Sequence, residues 1–171
     1  MAKKKRVLFI IAPKEFRDDE LTIPKERLES EGIEVDVAST TTERIKGIMG
    51  TTVEPDMDIH DIDPKKYEYM VVIGGPGASK LGMDRDVVMT LRQAKNVGGI
   101  CLGTVPLATA GLLKDKNATT YETPDTLRLF KNVGATYIEE DVVIDGTTIT
   151  ASGPDAIREF AFKLTKLVKQ A

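Results

Sequence analysis

Two stretches without polar interruption constrain this chain most. Arg6 to Ala12 (RVLFIIA), apolar from Val7 on, and Tyr69 to Ile73 (YMVVI) run through consecutive apolar residues without alternation. A strand with one wet face alternates apolar and polar residues, so an unbroken run marks a strand buried on both faces of a parallel sheet. Such a sheet needs helices above and below it, and the segments between the runs supply them. Asp18, Asp19 and Glu20 open a helix that carries Leu21, Pro24 and Leu28 and stops at Gly32, and Ile33 to Ala38 is the next strand. Further helices are predicted over Asp84 to Asn96, over Pro124 to Asn132 before Gly134, and from Gly153-Pro154 to about Lys169.

The remaining runs read as strands. Asn117 to Tyr121 is a short one; Ala135 to Ile138, Val142 to Ile144 and Thr147 to Thr150 follow, the last two joined by the hairpin signal Asp145-Gly146. Arg44 to Ile48 and Thr51 to Glu54 are read as a small hairpin or edge strands, and Asp56 to Pro64 as a polar loop. Alternating strands and helices predict one domain over residues 1–171, an α/β sandwich with a mostly parallel sheet.

Between a short apolar run and a helix-compatible segment lies Gly99-Ile100-Cys101-Leu102-Gly103, a G-x-C-x-G pattern. This is the cysteine counterpart of the nucleophile elbow, in which a strained strand-to-helix bend presents a nucleophile. A cysteine at a helix N-terminus meets unpaired N–H groups and the positive dipole end, so a lowered thiol pKa is expected for Cys101. Gly74-Gly75-Pro76-Gly77 follows the Tyr69 run but fits neither the Walker nor the dinucleotide pattern. It reads as a turn whose backbone closely approaches something at the carboxyl ends of the strands.

The formal net charge is −3, which points to no nucleic-acid partner. The longest purely apolar run, Val7 to Ala12, is far short of the ~20 residues of a membrane span, so no membrane is expected. One cysteine forms no internal disulfide and suits a reducing, cytoplasmic setting. Lys3 to Arg6 is read as a solvated terminus, with no leader segment after it. The single histidine, His60, lies in an acidic stretch and is read as a surface residue, and no metal site is expected.

Several separated stretches together resemble one family. They are Phe16, Glu20, Leu21, Ile23 and Pro24 after the first strand; Val72 to Gly75; the Cys101 elbow; Ala110 to Lys114 with Thr119 to Tyr121; Asp145-Gly146; and Ser152-Gly153-Pro154 ahead of Glu159 to Ala161. In this order they resemble the PfpI superfamily, its deglycase branch in particular. The resemblance implies a flavodoxin-like three-layer sandwich, usually a homodimer. It also implies a nucleophile at Cys101, a partner carboxyl at Glu20 and oxyanion amides at Gly75 and Leu102, with Gly74, Tyr121 and Ser152 as pocket residues. Members act variously as glyoxalases or deglycases on α-oxoaldehydes and their adducts, as proteases, as chaperones and as oxidative-stress sensors.

Departures from the family pattern narrow this range. Leu102 stands where the protease-like members have histidine, Ser79 where they take a glutamate, and Tyr121 where the deglycase branch has another histidine. No Cys-His pair can be built from the matched positions, so peptide hydrolysis lacks its base and leaving-group acid. The chain after Cys101 has no histidine, which sets aside a glutamine-amidotransferase reading. The expected activity is cofactor-free conversion of a small aldehyde such as methylglyoxal, with a buried, protonated Glu20 beside the sulfur. The alternative is a redox sensor or stress-response protein acting through oxidation of Cys101. The link from Asp84 to Cys101 is a few residues shorter than the family's.

Overall fold

A computed structural model describes residues 3–171. Strand β1 (Arg6–Ile10) leads through helix α1 (Asp18–Ser30) to β2 (Glu34–Ser39), a parallel neighbour in which Phe9 pairs with Val37. A two-stranded hairpin, β3 (Ile45–Lys46) and β4 (Thr52–Val53), precedes the edge strand β5 (Met57–Asp58). Then come β6 (Tyr69–Val72), α2 (Arg85–Arg92), β7 (Val97–Ile100) and α3 (Thr104–Thr109). The last part holds β8 (Asn117–Ala118), α4 (Pro124–Val133), β9 (Thr136–Tyr137), the hairpin β10 (Val142–Asp145) and β11 (Thr148–Ala151), and α5 (Ile157–Gln170).

The main sheet has the order β10-β11-β7-β6-β1-β2-β5, with every pairing parallel except β10 with β11. Successive side chains of the central strands enter opposite layers. Phe9 and Val71 pack with Leu21, Leu28, Phe160 and Leu164 on one face; Leu8, Ile10, Met70 and Val72 pack with Val87, Leu91, Leu107 and Phe130 on the other. This double burial explains the unbroken apolar runs, since each such side chain contributes about 1.5–3 kcal/mol when removed from water. The expected mixed α/β sandwich is the observed fold.

Four details differ from the sequence reading. Arg6 is not simply solvated: its guanidinium pairs with Glu34 and with Asp36, the latter at 2.7 Å, which ties β1 to β2. The Asp84 helix ends at Arg92, because the chain must turn back to start β7, and Asn96 ties that turn to the start of β6 by donating from its side chain to the Glu68 carbonyl. The strand expected over Asn117 to Tyr121 stops at Ala118 and pairs with β9 outside the main sheet. Beyond it the Thr119 N–H donates to the Thr150 hydroxyl, not to a ladder carbonyl. The Asp56 to Pro64 stretch contains β5, whose two residues pair with Ala38 and Ser39 but are too few to show a period.

Candidate active site

The site forms at the carboxyl ends of β1, β6 and β7, the crevice where doubly wound sheets bind ligands. After Ile100 the chain bends at Cys101, which has a φ of +58°, and then makes a 3-10 turn over Cys101–Gly103. Left-handed backbone is costly for a residue with a Cβ, roughly 1–2 kcal/mol, and it is held here by close packing. A Cβ at Gly103 would lie 2.1 Å from the Val72 carbonyl oxygen, and one at Gly99 would lie 2.9 Å from Leu107 Cδ1. The bend therefore sits directly on β6 and α3.

Threonines complete the elbow's hydrogen bonding. The Thr104 hydroxyl donates to the Cys101 carbonyl at 3.0 Å, and the Thr120 hydroxyl lies 2.7 Å from that of Thr104. Sequence reasoning gave neither a role, and Thr120 entered it only within the stretch Thr119 to Tyr121. Thr104 stands three residues after the cysteine, which is the spacing at which a helical threonine returns to a carbonyl.

Glu20 approaches from α1 and is fully buried. The Gly74 N–H donates to its Oε1 at 2.9 Å; Oε2 has no hydrogen-bond partner, and the Cys101 thiol adjoins the carboxyl. Gly74 is the close approach anticipated after β6: a Cβ there would stand 2.4 Å from Glu20 Oε1 and 2.7 Å from Cys101 Cβ. Gly75 has a φ of +105°, and a Cβ on it would meet the Glu15 carbonyl oxygen at 2.4 Å. The Arg17 N–H donates to the Gly74 carbonyl at 3.0 Å, which fixes the start of α1 on this turn.

Electrostatics follow from burial. Desolvation pushes Glu20 up to about 8, against the Gly74 hydrogen bond, which lowers it. Desolvation and the neighbouring Glu20 charge push the Cys101 thiol up to about 12, while the N–H groups of Leu102 and Gly75 act in the opposite sense. The lowered thiol pKa expected from a helix N-terminus is thus not found. Cys101 is only 7% exposed, and the α-helix behind it begins three residues later and is six residues long, so desolvation outweighs the local dipole.

A cavity of about 340 Å³ lies beside the elbow, lined in part by Tyr121 and Ser152. Gly153 connects the two: a Cβ built there would be 3.4 Å from the Tyr121 ring and 3.9 Å from Cys101 Sγ. Of the expected pocket residues, Tyr121 and Ser152 line this cavity, whereas Gly74 packs beneath the Glu20–Cys101 pair. His60 takes no part: it is an exposed residue held between the carboxylates of Asp58 and Asp86.

Residues 5–167 match the DJ-1/PfpI family. The chain belongs to that family. It is 38% identical to the uncharacterized protein MJ0967 of Methanocaldococcus jannaschii, over 98% of this chain and 84% of that protein. It is 28% identical to the glutathione-independent glyoxalase DJR-1.2 of Caenorhabditis elegans, over 99% and 91% of the two. The deglycase PH1704 of Pyrococcus horikoshii is 30% identical, over 96% and 99%. Among solved structures, the ThiJ/PfpI domain protein of Brachyspira murdochii superposes with a TM-score of 0.92 at 26% identity, covering 99% of both chains. No helix among the described residues is long and apolar enough to cross a membrane.

Proposed function

We propose that this DJ-1/PfpI protein is a cofactor-free glyoxalase or deglycase in which Cys101 attacks small α-oxoaldehydes or their adducts. The observation that carries the reading is the pairing of a wholly buried carboxyl, its Oε2 unpartnered, with a thiol on a strained elbow. Relatives named glyoxalase and deglycase support the same chemistry.

With methylglyoxal, the sulfur adds to the aldehyde carbon. The S–C bond forms as the carbonyl π pair moves to oxygen, and Glu20 passes the thiol proton to that oxygen. The amides of Gly75 and Leu102 hold the developing charge. Glu20, as the carboxylate, then takes the proton from the hemithioacetal carbon and returns it to the adjacent carbon, while the hydroxyl proton moves to the former ketone oxygen, leaving a lactoyl thioester on Cys101. Water cleaves the thioester to lactate and restores the thiol. The sum is methylglyoxal plus water giving lactate, with no external oxidant or reductant.

Glu20→Gln keeps an acceptor for the Gly74 N–H but removes the proton carrier. Lactate formation is expected to fall by 10²-fold or more, within the usual range for removing an acid–base group, while iodoacetamide still alkylates the thiol. Full turnover in that variant would overturn the mechanism. A homodimer belongs to the same reading, with sedimentation at twice the chain mass as its check. The alternative reading is redox sensing through oxidation of Cys101, checked by intact mass after a few equivalents of peroxide: no oxygen gained at Cys101 removes it. Peptide hydrolysis has no histidine at the site to serve it.

A further inference from the structure

The start of α1 holds the Gly74 peptide from both ends. The Arg17 N–H donates to the Gly74 carbonyl at 3.0 Å, and the Gly74 N–H donates to Glu20 Oε1 at 2.9 Å. The Arg17 backbone also lies against the next residue: a Cβ on Gly75 would stand 2.6 Å from the Arg17 nitrogen, and the Gly75 N–H is one of the two amides at the Cys101 sulfur. Arg17 is thereby fixed beside the Glu20–Cys101 pair, and both members of that pair lie within Coulomb range of its guanidinium. Asp19 restrains that guanidinium: Arg17 Nε donates to Oδ1 at 2.7 Å and Nη2 to Oδ2 at 3.2 Å, and the two side chains are 28% and 25% exposed. Glu20 feels both charges, that of Arg17 favouring its ionised form and that of Asp19 opposing it. Other charged groups face elsewhere. Asp18 is turned to the β3–β4 hairpin, and Lys14 and Glu15 line a separate crevice with Lys80 and Asp84. Across Gly153 the titratable group nearest the sulfur is the Tyr121 phenol, and the carboxylates beside it line a cavity that neither Glu20 nor Cys101 lines.

We infer that Arg17 is a positioning residue of this site: its charge, tempered by Asp19, favours the form of the Glu20–Cys101 pair that has lost one proton. The inference rests on Cys101 being the reacting group. A desolvated pair carrying one negative charge is stabilised by a nearby cation and destabilised by a nearby anion. Arg17 and Asp19 therefore act on the pair in opposite senses, although they form one ion pair with each other. Arginine suits this position because its guanidinium stays charged throughout the range in which the pair titrates.

The pH dependence of Cys101 alkylation by uncharged iodoacetamide tests this without turnover, with intact mass reporting on the single cysteine. Arg17→Gln is expected to move the inflection of the rate up by about half a pH unit, and Asp19→Asn to move it down by a similar amount; both shifts are modest because solvent screens a partly exposed ion pair. Arg17→Lys keeps the charge and should leave the inflection within about 0.2 unit of the wild type. A role confined to bracing the start of α1 predicts otherwise: each single variant breaks the same ion pair, so both would lower the denaturation midpoint and move the profile in one direction or not at all. Shifts of one sign in the two variants, an Arg17→Gln variant that stays at the wild-type inflection, or a wild type with no inflection each overturn the inference. Opposite shifts in a protein that forms no lactate would remove the glyoxalase reading and leave this one; lactate formation with an inflection that neither variant moves would do the reverse.

Discussion

Glu20 sits in the first turn of α1 with no exposed surface, and ionising it there strands a carboxylate whose second oxygen has no partner. It shares its proton inventory with Cys101, so the two titrate as a pair. The pair loses its first proton near pH 8, and the singly protonated state reacts through the arrangement in which Glu20 holds the proton and the sulfur is the thiolate. The rate of Cys101 alkylation is therefore expected to rise through an inflection near pH 8, and Glu20→Gln should abolish that inflection. A wild-type profile that rises without any break near 8 would contradict the coupling. The same shift bears on stability. A carboxyl raised from its ordinary 4.5 to about 8 stays protonated in the folded chain while the unfolded chain ionises. Stability then falls as pH rises between those values, by on the order of 3 kcal/mol from pH 4 to pH 7. Chemical denaturation should show Glu20→Gln gaining stability over the wild type at pH 8 and losing that advantage near pH 4. Of the pair, Cys101 was legible in the sequence because its signature lies within five residues. Glu20 was not, except through resemblance, since an acid at a helix start is ordinarily solvated.

At the scale of elements, the first turn of α1 does two jobs on opposite sides. Asp18 and Glu20 are two residues apart and point away from each other, one toward the β3–β4 hairpin and one toward the elbow. Asp18 is 3% exposed and accepts the Met49 N–H at 2.9 Å and the Thr51 N–H at 2.7 Å. Asp18→Ala leaves both amides unpaired, so a loss of roughly 2–4 kcal/mol is expected, with faster hydrogen exchange at Met49 and Thr51. Unchanged exchange there would show that the carboxylate does not hold the hairpin. Sequence reasoning saw three acids favouring a helix start and saw the hairpin separately. It had no signal that one anchors the other, because that contact joins positions more than thirty residues apart. Pro24 was legible as a helix residue, and its position has a consequence: lacking an N–H, it leaves the Glu20 carbonyl without its usual intrahelical donor.

Across the whole molecule, apolar runs and turn residues were enough to read the sheet's parallel core and the β10–β11 hairpin, because burial on two faces and an Asp-Gly turn leave local marks. The acidic lining of the cavity beside the elbow was not readable, since Glu122, the run Glu139 to Asp141 and Asp155 come from three separate segments that only the packing of β8, β9 and β11 brings to one opening. Nor was the upward shift of the thiol, which depends on how deeply the elbow is covered. The most direct measurement of the central claim is lactate formation from methylglyoxal, without cofactor and in buffer free of amines and thiols, by this protein and by its Cys101→Ser variant. The account predicts catalytic turnover that the variant abolishes. No lactate from a folded protein whose thiol remains alkylatable, or equal lactate from both proteins, would contradict it.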